Sequence, residues 1–164
     1  MKMGDNSGAI SGTIRSGTIH NCTISNCTIR LAEQGDCAAM ARLFQQLGYP
    51  AGALETADRL LQQDPAREVL LACLDGEVLG VLVWHALQPL HVAPAWGLIS
   101  ALVIDEGARG KGVGALLLTA AEERAQALGC GQLELSSSLK REGAHRFYLA
   151  QGYGERPKRF VKLF

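Results

Sequence analysis

Between Ile104 and Leu118 the chain reads IDEGARGKGVGALLL, with Gly110, Gly112 and Gly114 at alternate positions and Arg109 and Lys111 between them. Glycines at this spacing, beside cations and ahead of a leucine-rich run, let backbone N–H groups from Arg109 to Gly114 converge on an anion at a helix N-terminus, where orphan donors and partial positive charge lie. Side chains larger than hydrogen at the glycines would obstruct that approach. Three anions suit the chemistry: the phosphates of ATP, the pyrophosphate of a dinucleotide and the pyrophosphate of coenzyme A.

The first two are disfavoured. A Walker loop needs GxxxxGK followed by Ser or Thr, whereas Gly107 and Gly112 are followed here by Val113 and Gly114. The segment Gly110-x-Gly112-x-x-Ala115 does fit the dinucleotide spacing GxGxxA, and Glu134 falls where a ribose-binding acid belongs. A dinucleotide domain, however, opens with this loop and continues through several βα units. Too little chain follows Glu134 for that.

The elements that must position the loop can be read from periodicity. CTIRLA reads as a strand, and Asp36 is expected to cap a helix whose Met40, Leu43, Phe44 and Leu47 fall at helical spacing before Gly48. A second helix buries Leu54, Ala57 and Leu61 and stops ahead of Asp64-Pro65. EVLLACLDGEVLGVLVWHAL is a hairpin turning at Asp75-Gly76. WGLISALVI is apolar on both faces and reads as a central strand. The glycine loop, a helix from about Gly114 to Leu128, the strand QLELSSS, a helix EGAHRFYLAQ and a last strand near RFVKLF complete the order β-α-α-β-β-β-α-β-α-β.

Residues 1–27 are of another kind. SGTIR, SGTIH, NCTIS and NCTIR repeat with a period of five from Ser11 to Arg30, which matches neither helix nor strand. The segment is expected to be a flexible or docked leader. An added strand, a homodimer contact and a single pentapeptide-repeat turn are the alternatives.

Composition sets the broad class. The chain has 164 residues, 48% of them apolar, enough for one domain with a core. Sixteen Lys and Arg against sixteen Asp and Glu leave no net field to favour nucleic acid or an anionic membrane. The longest apolar run, Val78 to Leu87, is too short to span a bilayer. Five cysteines, an odd number, without a cationic leader ahead of an apolar stretch fit a reduced, cytoplasmic protein. His20, Cys22 and Cys27 do not make a convincing zinc ligand set.

RGKGVG, at the start of the helix after the fourth strand, and AHRFYLAQGY resemble the R/Q-x-x-G-x-G/A loop and the A-x-x-x-Y-x-x-x-G-[FY] segment of the GNAT superfamily of acyl-CoA-dependent N-acyltransferases. One helix and one strand separate the two motifs, as in that superfamily, and the resemblance covers roughly residues 28–164. It implies an α/β (α+β) fold: a mixed, mostly antiparallel central sheet with helices on both faces. It also implies acetyl-CoA as cosubstrate and a small-molecule amine as acceptor. On this resemblance the cofactor would be held by Leu102, Val103 and Ile104 of the fourth strand, by Arg109, Gly110, Lys111, Gly112, Val113 and Gly114 of the loop, and by Ala144, Phe147 and Tyr148 of the late helix. An N–H near Leu102 or Val103 would polarise the thioester carbonyl, and Tyr148 would protonate the departing thiolate. Read from the residues alone, Ala144, Phe147 and Tyr148 also form a helical stripe, so Tyr148 doubles as a core aromatic.

The general base is not marked by the resemblance. Many relatives carry an acid on the fourth strand, but Trp96 to Ile104 contains no carboxylate. His85 and His91, which titrate near neutrality, and Glu134 are the candidates. LSSSLKREGAHRFYLAQGY followed by RFVK is most similar to the aminoalkylphosphonate N-acetyltransferases, with a looser likeness to aminoglycoside and other small-amine acetyltransferases. The phosphonate enzymes imply an amine carrying an anionic group and a divalent metal, although the missing fourth-strand acids weaken the case for the metal. Lys140, Arg141, Arg146, Arg156, Lys158 and Arg159 are candidates for holding the anion or the 3′-phosphate of CoA, and equally read as a solvated surface. A CoA-binding interaction module without catalysis and an NAD(P)-binding protein are the rival readings.

Overall fold

The structure is a computed structural model that describes residues 25–49, 52–62, 64–156 and 161–163. Its elements are β1 (Thr28–Leu31), α1 (Cys37–Leu47), α2 (Ala53–Leu61), β2 (Arg67–Leu74), β3 (Glu77–Leu87), β4 (Trp96–Ile104), α3 (Val113–Ala127), β5 (Gln132–Leu135) and α4 (Glu142–Ala150). They form one sheet in the order β1-β2-β3-β4-β5, antiparallel except for the parallel β4–β5 pair. A single parallel pair is foreign to a dinucleotide-binding sheet, which is built from successive parallel units.

Apolar side chains on both faces of β2 and β3 explain the layering. Leu70, Leu82, Trp84 and Ile99 face α3 and α4, and Leu71, Val81 and Val103 face α1 and α2. Asp75 and Gly76 both have positive φ, as a two-residue hairpin turn requires, so the predicted hairpin forms. Helix α1 buries Met40 and Leu43 and ends at the left-handed Gly48. No helix among the described residues is long and apolar enough to cross a membrane.

Three local expectations need correction. Asp36 does not cap α1 through its side chain. Its carboxylate takes two hydrogen bonds from the Arg30 guanidinium, each 2.7 Å, and one from the Glu33 N–H. Leu54 is 83% exposed, because α2 turns Thr56, Leu60 and, as expected, Ala57 inward; the Leu61 side chain lies outside what is described. No strand runs through residues 161–163, where Val161 and Leu163 both lie exposed and their alternation finds no strand edge to pair with. The rest of RFVKLF lies outside the described residues, as do the repeats up to residue 24. Cys27, in the last repeat, is buried in the core.

Two features of β4 shape the candidate site. β5 pairs with β4 only along Trp96–Ile99, so Ala101 to Ile104 are laddered to β3 alone. The register on β3 also slips, from Val83 opposite Ala101 to Trp84 opposite Ile99, which leaves Ser100 as the extra residue of a β-bulge.

Candidate active site

The glycine loop begins with a 3-10 turn, Glu106–Ala108, capped by the Asp105 carboxylate on the Gly107 N–H at 3.1 Å. Gly110 and Gly112 then adopt φ of +73° and +88°, the left-handed region open to glycine, and the Gly112 carbonyl accepts the Leu116 N–H to start α3. The N–H groups of Gly110, Gly112, Val113 and Gly114 lie ahead of the Leu116-to-Gly112 bond that opens α3, at the positive end of a 15-residue helix. The three glycines serve different ends. A Cβ on Gly110 would meet nothing, so that position is constrained by its backbone angle, whereas a Cβ on Gly114 would lie 3.2 Å from Phe147 Cζ. Gly114 is therefore small so that α4 can pack against the mouth of α3.

The loop cations are braced on the loop itself. Arg109 Nε donates to the Ile104 carbonyl at 3.1 Å, and Lys111 Nζ donates to the Gly107 carbonyl at 2.7 Å. From the other side α1 grips the loop's start. Arg42 pairs with Asp105, Gln46 donates to Asp105 at 3.0 Å, and Gln46 accepts the Glu106 N–H at 3.1 Å. These contacts hold the Asp105 carboxyl below the usual aspartate range, the Gln46 bond contributing most and Arg42 next.

Ladder parity gives the direction of the free β4 amides. Asp105 donates to the Leu79 carbonyl, so alternate residues Val103 and Ala101 face β3, and the N–H groups of Leu102 and Ile104 face the gap left by β5. Of the two amides considered from sequence, the register turns Leu102 into the opening and Val103 away from it. Ile104 follows the same parity, its carbonyl being the one that Arg109 takes.

Across this gap stands α4. Ala144, Phe147 and Tyr148 are half-buried on one helix face, and Phe147 and Tyr148 pack against the apolar cluster that also takes Leu102 and Leu135. The Tyr148 ring lies between those of Phe147 and Tyr153, with centroids 5.3 and 6.0 Å away. Burial raises the Tyr148 phenol above its ordinary value, opposed by the nearby Arg141 charge.

On the opposite face of the sheet a cavity of about 320 Å³ opens between α1, α2 and β2–β4. His85, Ser100 and Ala101 line it. The bulge is the cause: it turns Ser100 onto the same face as its neighbour Ala101, where strict alternation would have sent it to the other. His85 Nε2 and Ser100 Oγ lie 3.1 Å apart, and Asp64 sits 3.9 Å from His85 Nδ1. An acid on the Nδ1 side favours the proton there, which makes Nε2 an acceptor for the Ser100 hydroxyl, whose Oγ also lies 3.4 Å from the Val83 carbonyl to which it can donate. Burial lowers the His85 pKa; Asp64 opposes the shift and Arg67 adds to it.

The other candidates stand apart. His91 lies on the exposed loop after β3, its ring edge-on to Trp96 with centroids 6.4 Å apart, and it does not line the cavity. Glu134 is exposed on β5 in register with Leu98 and His85, so it shares the face of His85 two strands away, about 10 Å across the sheet. Of the basic cluster, Arg141 donates to the Leu47 carbonyl at the cavity's edge and Arg146 pairs with Glu142, while Lys158 and Arg159 lie outside the described residues. Among the described residues no group of three or more His, Cys, Asp or Glu is placed to hold a metal ion. The described donor set does not fit a divalent metal. Sequence reasoning missed Ser100, Arg59 and Arg67 on the cavity wall. A lone hydroxyl in an apolar strand was the one available signal for Ser100.

Comparison with known proteins agrees with this geometry. The sequence model of the Acetyltransferase (GNAT) family matches residues 37–153. An aminoalkylphosphonate N-acetyltransferase from Salmonella typhimurium is 41% identical over 120 residues, 73% of this chain and 77% of that protein. Among solved structures, an acetyltransferase from Trypanosoma brucei superposes with a TM-score of 0.72 at 23% identity, over 85% of this chain and 100% of the other. An aminoglycoside acetyltransferase from an uncultured soil metagenomic sample superposes with a TM-score of 0.72 at 20% identity, over 84% and 96%. The two structural likenesses speak for the fold. The family match and the Salmonella relative go further: the chain belongs to the GNAT family and is an N-acetyltransferase.

Proposed function

We propose that the chain moves the acetyl group of acetyl-CoA onto the primary amine of a small molecule, aminoalkylphosphonates being the class that the Salmonella relative supports. One observation carries the reading. The segment Ser100–Ile104 offers unladdered backbone to the gap beside β5, while Ser100 and Ala101 face the cavity beside His85. Donor and acceptor can thus meet at a single stretch of β4.

In this mechanism the amides of Gly110, Gly112, Val113 and Gly114 receive the pyrophosphate of CoA, and the edge of β4 bonds the pantetheine arm. His85 takes a proton from the incoming ammonium through the Ser100 hydroxyl, leaving a nucleophilic nitrogen. As that nitrogen bonds to the thioester carbon, the Leu102 N–H receives the negative charge growing on the carbonyl oxygen. The C–S bond then breaks: Tyr148 donates its phenolic proton to the CoA sulfur, the nitrogen gives its second proton to solvent as the neutral amide forms, and solvent reprotonates the phenolate and takes the proton held by His85. A buried phenol that stays protonated at neutral pH is suited to that task.

The test is acetyl-CoA with a panel of amines, read as CoA thiol release and as N-acetylated product by mass spectrometry. Turnover with a short aminoalkylphosphonate supports the reading. Binding of acetyl-CoA without thiol release for any amine would favour a non-catalytic CoA-binding module, and stabilisation by NADP but not acetyl-CoA would point to a nicotinamide site.

A further inference from the structure

The cavity wall is lopsided in charge. Arg59 of α2 and Arg67 of β2 line it, and among the described residues no Asp or Glu does. Asp64, the nearest acid to His85, lies on the Nδ1 side of the ring, away from Ser100. Arg67 is held in place from behind: its Nη2 donates to the Arg59 carbonyl at 2.7 Å and to the Gln62 carbonyl at 2.6 Å. Its remaining N–H groups have no acceptor among the described residues, and neither does the Arg59 guanidinium. Exposed Arg59 and half-buried Arg67 thus give an otherwise largely apolar wall a positive end that complements an anion.

The register fixes the distance. Arg67 stands directly opposite His85 in the β2–β3 ladder, so the two side chains rise from the same face about 5 Å apart at their bases. An anion on Arg67 and an amine at His85 and Ser100 would belong to one short molecule.

We infer that Arg59 and Arg67 form the anion-recognising end of the acceptor site, selecting a short amine with a phosphonate, phosphate or carboxylate at its far end and rejecting polycationic amines. The inference rests on the acetyl-transfer reading and names the part of the cavity that sets its substrate class. Guanidinium groups suit this work because their planar N–H fork matches an oxyanion and keeps its charge at every working pH. A polyamine would instead meet like charge at both arginines.

The experiment compares amines of matched length on the full chain: 2-aminoethylphosphonate, phosphoethanolamine, β-alanine, the neutral propylamine and the dicationic 1,4-diaminobutane. The parent enzyme is expected to prefer the anionic amines, and Arg59→Gln and Arg67→Gln each to lower the anionic-to-neutral ratio of kcat/KM by about 10-fold or more. The order among phosphonate, phosphate and carboxylate identifies the preferred group. Equal use of anionic, neutral and cationic amines by the parent, or an unaltered ratio in both variants, would overturn the inference. Arg67→Gln also removes two bonds to the end of α2, so Arg59→Gln, whose guanidinium bonds no acceptor among the described residues, is the variant whose fold is least at risk. Calorimetric binding of 2-aminoethylphosphonate is measured in parallel. If no amine turns over, the acetyl-transfer reading fails, yet binding by the parent that both variants lose would still support the anion site, and binding they retain would sink it.

Discussion

The imidazole of His85 and the hydroxyl of Ser100 lie 3.1 Å apart on neighbouring strands, and they meet because β4 carries one residue more than β3 at that level. Without the bulge, Ser100 would point into the α3 side of the core. The irregularity thus supplies a hydroxyl between the histidine and the acceptor cavity in a strand that has no carboxylate to act as base.

If His85 is the base, His85→Gln should lower kcat/KM on the order of 100-fold with little change in acetyl-CoA affinity. The pH profile gives an independent check. The base works when neutral, and burial holds its pKa below the ordinary 6.5. Activity should therefore be level through neutrality and fall only as pH drops below that value. A profile that keeps its acid limb in the glutamine variant would remove His85 from the role.

Ser100→Ala tests the relay. The variant should lose part of the rate that His85→Gln loses, and the double variant should be little worse than His85→Gln alone, since the two groups act in series. Additive losses would mean that the hydroxyl acts apart from the ring.

Tyr148→Phe should reduce kcat on the order of 100-fold while acetyl-CoA still binds, because only a proton donor is removed. Burial lifts the phenol above its ordinary 10.0, so the parent should show no alkaline limb from this group below that pH. An unchanged kcat in the variant across pH 6–9, on the order of the range accessible to the assay, would make Tyr148 a packing residue only.

The loop was legible in the sequence because glycine adopts positive φ at no steric cost, and Gly110 and Gly112 are such positions. The elements around it were legible because α1 carries apolar residues at helical spacing up to Gly48, while the strands read as apolar runs broken by Asp75-Gly76 and by the loop of Pro89 and Pro94. What escaped was whatever depends on register. A one-residue bulge cannot be read from WGLISALVI, so Ser100 looked like part of an apolar strand. Arg59 and Arg67 sit on different elements, and only the packing of α2 over the end of β2 brings both to one wall. Leu54 shows the limit of periodicity in a short helix: Ala57 packs as its spacing predicts, but Thr56 and Leu60, not Leu54, share the buried side with it.

Gly110→Ala and Gly114→Ala should separate binding from packing. At Gly110 a methyl group meets open space but the backbone sits at φ +73°, so the cost is about 1 kcal/mol of local strain, with weaker acetyl-CoA binding as the loop distorts. At Gly114 the methyl group presses on Phe147, and the expected loss is about 1–3 kcal/mol in the stability of the apo protein. Thermal unfolding with and without acetyl-CoA reads both. Equal behaviour of the two variants would contradict the division of labour.

Asp105 joins the two halves of the site. Its carboxylate caps the turn that opens the glycine loop, and it is held by Arg42 and Gln46 of α1, the helix whose Met40, Phe44 and Leu47 wall the acceptor cavity. Its folded pKa is lowered, so its contribution to stability is fully present above the ordinary 3.8 and is lost as pH falls through the lower folded value. Asp105→Asn should therefore destabilise the protein at neutral pH and flatten the acid end of its stability curve. Because the asparagine side chain still offers an oxygen to Gly107 but no charge to Arg42, the α1 contact should loosen more than the turn. The expected signature is a raised KM for the amine as well as for acetyl-CoA, measured at saturating levels of the other substrate. A variant impaired toward acetyl-CoA alone would show that α1 does not link the two sites.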